Sequence, residues 1–263
     1  MKSARTLIAV FAVLALVIVA IGWLVSHVHT DSSSMRKPIP SDVPPPNGVA
    51  APAVDTSKHT RTSEEFRTWA EPISKKTGIS VEALSAYANA NVVARHSKPG
   101  CHLDWTTLAG LGWVETRHGS YNGHHFDSVS IDSNGDVKPH IRGVKPHIRG
   151  VQLDGAPGLE NLPDTDNGEL DGDKEKDRAM GPLQFIPQSW EKYGVDANAD
   201  GKADPDNIDD AAVAAVNLLC DFDRDLSTAD GWKSAVRSYN NSAQYVEDVR
   251  RAAANYSLQQ EPA

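Results

Sequence analysis

The stretch that most limits the fold of this chain is residues 104–119, DWTTLAGLGWVETRHG. It predicts a buried helix. Asp104 is a favourable N-cap, and Gly119 is a favourable stop. Leu108, Leu111, Gly112 and Glu115 fall at i, i+3, i+4 and i+7, so they share one helical face. That face points into a core, and its last member is a carboxylate. Burial disfavours the charged form of a carboxyl, and the negative end of the helix dipole pushes the same way. A carboxyl that keeps its proton near neutral pH suits a general acid. Glu115 is therefore the candidate catalytic residue. The competing reading of this helix taken alone is a glutamate at the edge of the stripe, solvated or paired with Lys or Arg.

Residues 7–25, LIAVFAVLALVIVAIGWLV, form 19 positions without a charge. That length spans a bilayer. Lys2 and Arg5 precede it and predict a cytoplasmic N-terminus with everything after residue 25 outside. The run is longer than the apolar region of a cleaved signal peptide, and no clear small-x-small site follows it. It reads as an uncleaved signal anchor. Residues 26–60 are rich in Ser, Pro, Thr and Ala, and Pro44, Pro45 and Pro46 mark an extended tether. Residues 61–260 are then one domain of about 200 residues, enough for a core of its own. The formal net charge of -9 and the lack of a basic stripe argue against nucleic acid as a partner. Outside the cytoplasm, the only two cysteines, Cys101 and Cys220, predict a disulfide.

The rest of the domain reads as helices around one long insert. Ser63 is placed to cap EEFRTWAEPISKKTG, with Pro72 inside it, and Ser80 to cap VEALSAYANANVVARH. Residues 120–178 are polar, and within them VKPHIRG occurs twice, at 137–143 and 144–150. A tandem heptapeptide is too short for a solenoid repeat and reads as a duplication in a surface loop. His140 and His147 recur at this spacing without the further Cys or His that a metal site needs. The acidic run DTDNGELDGDKEKD at 164–177 reads as a solvated loop, with cation binding as the alternative. In AMGPLQFIPQSWEKYG, residues 179–194, Gly181 and Pro182 force a turn and Pro187 opens a short helix that Gly194 ends. Gln184 is the one polar side chain in its apolar tetrad, and its amide needs partners, either backbone groups or those of a sugar.

Residues 196–207, DANADGKADPDN, match the first half of a calcium loop. Asp196, Asn198 and Asp200 stand at positions 1, 3 and 5, Gly201 at 6, Lys202 at 7 and Asp204 at 9. Asn207 replaces the bidentate glutamate of position 12, with Asp206, Asp209 or Asp210 as the substitute ligand. A Ca2+ here is structural, and no cofactor is needed for chemistry. Asp209, Asp230 and Ser242 are placed to cap three more helices, the second ending at Tyr239 and Asn240.

Four segments occur in order: GWVETRHG, AMGPLQFIPQSW, the calcium-like loop and SYNNSAQYV. Together they resemble the membrane-bound lytic murein transglycosylases of the B type, over roughly residues 65–258. The resemblance implies a mainly α, lysozyme-like helical domain of the transglycosylase SLT-like kind, with a long irregular insert and a single preceding transmembrane helix. It implies cleavage of the MurNAc–GlcNAc β-1,4 bond of peptidoglycan without water, leaving 1,6-anhydroMurNAc ends. It maps the catalytic glutamate onto Glu115 and substrate-binding residues onto Gln184, Tyr239 and Asn240. The single carboxylate agrees with this chemistry, because ordinary glycosidases need two. One suffices when the C6 hydroxyl of the substrate is the nucleophile. Trp113, Tyr121, Phe185 and Trp190 are either sugar-stacking or core residues, and core packing is the favoured reading. Two alternatives remain: a hydrolytic muramidase pairing Glu115 with an acid of the 164–177 loop, and a tethered wall-binding module without catalysis.

Overall fold

The computed structural model describes residues 36–121, 129–139, 147–156 and 160–263. The apolar run at 7–25 and His140 lie outside these residues. No helix among the described residues is long and apolar enough to cross a membrane. The chain divides into one unit over Met1–Pro38 and another over Ile39–Ala263. The second unit is mainly α, as expected.

A short 3-10 turn, Thr62–Phe66, leads into helix α1, Arg67–Thr77. Pro72 sits inside α1 without ending it. Ser63 caps nothing, because it lies within the 3-10 turn with its side chain buried. Helix α2, Val81–Ser97, starts as predicted, with the Ser80 hydroxyl accepting from the Ala83 amide. Helix α3, Trp105–Thr116, carries Glu115, and Asp104 caps it by accepting from the Thr106 amide.

Helix α3 stops three residues before the predicted glycine. Arg117, His118 and Gly119 all turn left-handed, with φ of 52°, 59° and 79°. The His118 amide reaches back to the Gly112 carbonyl at 2.8 Å and the Arg117 amide to that of Trp113 at 3.3 Å, closing the helix end. Of the two residues with a Cβ, Arg117 is held by its guanidinium on the Trp113 carbonyl, and His118 by a ring fixed on both sides. Its Nδ1 lies 3.2 Å from the Tyr87 hydroxyl of α2, and its Nε2 lies 2.7 Å from the Tyr256 hydroxyl. Burial holds the imidazole neutral, with its pKa lowered to about 3.

The insert is less irregular than its composition implies. Strands β1, Val129–Ile131, and β2, Val137–Pro139, pair antiparallel. Strands β3, Arg149–Gln152, and β4, Arg178–Met180, form a second antiparallel pair. The first heptapeptide copy thus opens with β2, and the second ends in β3. Helices α4, Pro187–Tyr193, α5, Ile208–Leu219, α6, Ala229–Tyr239, and α7, Ala243–Ser257, complete the fold. The caps of α5 and α6 fall on Asn207 and Thr228 rather than on Asp209 and Asp230, while Ser242 caps α7.

The most extensive helix contact is α3 against α7, followed by α2 against α5. A Cβ at Gly110 would lie 2.8 Å from the Val249 carbonyl, so glycine there lets α3 and α7 approach closely. The alanines of α5, Ala211, Ala212, Ala214 and Ala215, are all buried. The predicted disulfide is present. Cys101, just before α3, is bonded to Cys220, at the end of α5, across 119 positions of sequence.

The expected tether is partly docked. From Ile39 onward the chain belongs to the domain. Arg250 donates to the Pro40 carbonyl, Trp105 Nε1 to Val49 and Trp69 Nε1 to Ala50, at 2.7, 3.0 and 3.0 Å. The Gly48 amide donates to the Asp104 carboxylate at 3.1 Å. The reason is physical: Trp69 and Trp105 pack edge to face at 5.5 Å, and the segment covers their apolar surface.

Candidate active site

Glu115 sits on the last turn of α3. The face beneath it, Leu108, Leu111 and Gly112, is buried as the periodicity requires. The residue is half-buried, and burial of its carboxyl pushes the pKa from 4.5 to about 7. A hydrogen bond from the Tyr245 hydroxyl opposes that rise. The charge of Glu115 in turn raises the phenol pKa values of Tyr245 and Tyr239, after the larger effect of their own burial. Tyr239 and Tyr245 are therefore neutral hydroxyls beside the carboxyl.

Gln184 comes to the site on a tight loop. Met180 and Phe185 pair as an isolated antiparallel bridge, which leaves Gly181 to Gln184 as the connection. The loop needs its glycine: Gly181 has φ 70°, and a Cβ there would lie 1.7 Å from the Pro205 carbonyl. Gln184 itself is left-handed, with φ 51°. The loop carbonyls are anchored by the site's own elements. Thr116, next to Glu115, donates to Pro182 at 2.6 Å, and the Tyr239 hydroxyl donates to Leu183 at 2.6 Å. The Gln184 amide nitrogen donates to the Gly181 carbonyl at 2.8 Å, a backbone partner and one of the two kinds expected.

Tyr239 and Thr116, the neighbour of Glu115, thus both hold the loop that carries Gln184. Asn240 follows Tyr239 but is exposed, and its side-chain oxygen accepts from the Ser242 amide at 3.0 Å. Tyr245 is the residue that the sequence reading missed. The only signal available was its place in SYNNSAQYV, six residues after Tyr239. Phe185 and Trp190 are buried against each other at 5.4 Å, so both are core residues. Trp113 is half-buried under the Arg117 guanidinium at 4.1 Å, and Tyr121 is half-buried.

The 196–204 turn is closed by its own hydrogen bonds. Asp196 accepts from the amides of Asp200 and Gly201, and Asn198 from that of Asp200. Lys202 Nζ pairs with Asp204 at 2.6 Å. Asp210 reaches into the turn and accepts from Ala197, Asn198 and Asp204, with burial raising its pKa to about 7. Of the three carboxylates expected as a substitute for position 12, Asp210 is the one that accepts from amides of this turn. Among the described residues, the three carboxylates that converge within 4.8 Å of one another lie elsewhere, at Asp164, Asp166 and Asp177. Asp164, Asp166, Asp171 and Asp177 accept from amides within or beside their own loop, and Asp173 adds the side chains of Gln152 and Arg178. The group bonded to Glu115 is Tyr245, not an acid of that run.

No curated protein and no solved structure matches the chain. Residues 177–259, which hold Gln184, Tyr239, Asn240 and Tyr245 but not Glu115, match the family model of the transglycosylase SLT domain, and with the mainly helical fold this supports a lytic transglycosylase family acting on peptidoglycan.

Proposed function

We propose that the protein is a lytic transglycosylase of the membrane-bound B type, cleaving the MurNAc–GlcNAc β-1,4 bond and leaving a 1,6-anhydroMurNAc end. The observation that carries this reading is Glu115, a half-buried residue whose carboxyl has a pKa near 7 and whose bonded neighbour is a neutral phenol. Protonated, Glu115 gives its proton to the leaving glycosidic oxygen. As a carboxylate it then takes the proton of the MurNAc C6 hydroxyl while that oxygen attacks C1. The nucleophile is already tethered to the reacting sugar, so the step gains a high effective molarity. Gln184, Tyr239 and Asn240 hold the sugar at the loop that Thr116 and Tyr239 anchor.

In this reading residues 7–25 anchor the protein in the cell membrane, with the domain outside and facing the wall. The disulfide fits an oxidising compartment. The 196–210 turn takes a structural Ca2+. Its donors, the side chains of Asp196, Asn198, Asp200 and Asp204, the Lys202 carbonyl and the Asp210 carboxylate, are the hard oxygens that this ion prefers. Bound Ca2+ supplies charge balance to that turn and takes no part in the reaction. A rise in melting temperature with Ca2+ over EDTA tests it.

The deciding experiment is mass spectrometry of fragments released from purified peptidoglycan by the native protein and by Glu115→Gln. Anhydro-muropeptides from the native protein alone are expected. Reducing-end products would make it a muramidase, and binding without products would make it a wall-binding module.

A further inference from the structure

We infer that Gly150 sets the access of substrate to Gln184, a positioning and specificity role that rests on the reading of Gln184 as a sugar-binding residue. The amide nitrogen of Gln184 is engaged by the Gly181 carbonyl. Its oxygen, Oε1, has no hydrogen-bond donor among the described residues, and it faces β3. A Cβ built at Gly150 would lie 3.1 Å from Oε1 and 3.3 Å from Ala179 Cβ. Gly150 has no left-handed backbone, so its conformation does not call for glycine. What the glycine provides there is space.

The backbone on both sides of that gap is held in place. The Gly150 carbonyl accepts from Arg178 at 3.0 Å, and the Ile148 carbonyl accepts from the Gly181 amide at 2.9 Å. Just upstream, three groups of the second heptapeptide converge on Asp206. Arg149 grips both carboxylate oxygens at 2.9 Å, His147 Nδ1 lies at 3.0 Å, and the Ile148 amide donates at 3.3 Å. On the other side, the Gln184 loop is fixed through the Pro182 and Leu183 carbonyls. A methyl at position 150 therefore presses on Oε1 rather than being absorbed by movement of the strand.

Oε1 is an acceptor, so the group that it reads is a donor. On an N-acetylated β-1,4 glycan, donors are the acetamido N–H and the sugar hydroxyls. Gly150 keeps that acceptor open to them.

The test uses the full chain with soluble, peptide-free peptidoglycan glycan strands, comparing Gly150→Ala, Gln184→Ala and the double variant. Gly150→Ala is expected to raise KM about fivefold, the loss of about one hydrogen bond, with kcat within about twofold. Its melting temperature is expected to stay within about 2 °C of the native value. The double variant is expected to be no worse than Gln184→Ala, because both changes act on one contact. Gln184→Ala raising KM while Gly150→Ala leaves it unchanged would overturn this inference alone. Multiplying effects in the double variant, or a Gly150→Ala that lowers kcat and melting temperature together, would also overturn it. Gln184→Ala with native KM and kcat would overturn the underlying reading of Gln184 as well.

Discussion

Tyr245, near the start of α7, donates its hydroxyl to Oε1 of Glu115, which lies 130 positions earlier on α3. The two helices form the most extensive helix contact of the fold, so this bond is held by the core itself. It sets two opposing effects on one carboxyl. Burial favours the protonated form, and the phenol donor favours the carboxylate.

Tyr245→Phe removes the effect that lowers the Glu115 pKa and leaves the effect that raises it. The alkaline limb of the activity profile is expected to move to higher pH, by up to about one unit. Rates of fragment release between pH 5 and 9 check this. A limb that stays in place, or moves to lower pH, would show that the phenol does not tune the acid.

Glu115→Gln is expected to lower activity about a thousandfold, within the usual range for a general acid. It is also expected to stabilise the fold at alkaline pH. With a folded pKa of about 7 against 4.5 unfolded, the native state holds the proton more tightly. Native stability therefore falls as pH rises through that window, and the Gln variant escapes the loss. The gain is up to about 3 kcal/mol at pH 8 and near zero at pH 4. Urea unfolding at both pH values measures it.

Arg61→Ala is expected to cost about 3–5 kcal/mol. The Asp209 side chain is fully buried, and Arg61 Nε pairs with its Oδ2 at 2.6 Å, while its Oδ1 meets the hydrogen-bond criteria with none of the described residues. Removing the guanidinium leaves a buried carboxyl uncompensated. Asp209→Asn in the Arg61→Ala background is expected to recover part of the loss, read as a shift in the denaturation midpoint.

Replacing both cysteines by alanine is expected to cost about 2–5 kcal/mol. The bridge closes a long loop, with 119 positions between its ends. Chemical denaturation of the native protein with and without reductant should reproduce the difference between native and variant. Equal stability in all four cases would mean that the bridge adds nothing to the fold.

The parts of the site that the sequence made legible are those with local signatures. Glu115 stands out because the 3.6-residue period puts a carboxylate on an apolar face. Gln184 stands out because glycine and proline isolate it in a turn. Tyr245 has no such signature: a tyrosine on a helix looks like a core residue, and only the packing of α7 on α3 gives it a partner. The docked segment around Gly48 was hidden for a related reason. Its Pro-rich composition describes a tether, and the exposed edges of Trp69 and Trp105 that hold it exist only after the helices have packed. The end of α3 was misplaced because His118 draws its left-handed backbone from Tyr87 and Tyr256, which lie far away in sequence.

The two heptapeptide copies are used by halves. The first supplies Val137, Lys138 and Pro139 to β2, with the Val137 amide on the Asp206 carbonyl. The second supplies His147, Ile148, Arg149 and Gly150, which hold Asp206 and flank Gln184. Excising 137–143 or 144–150 yields one and the same polypeptide, in which Val-Lys-Pro runs straight into His-Ile-Arg-Gly. Every residue type named in those contacts survives the cut. Deleting either copy thus removes none of the residue types that hold Asp206 and flank Gln184, and one shortened chain tests both copies at once.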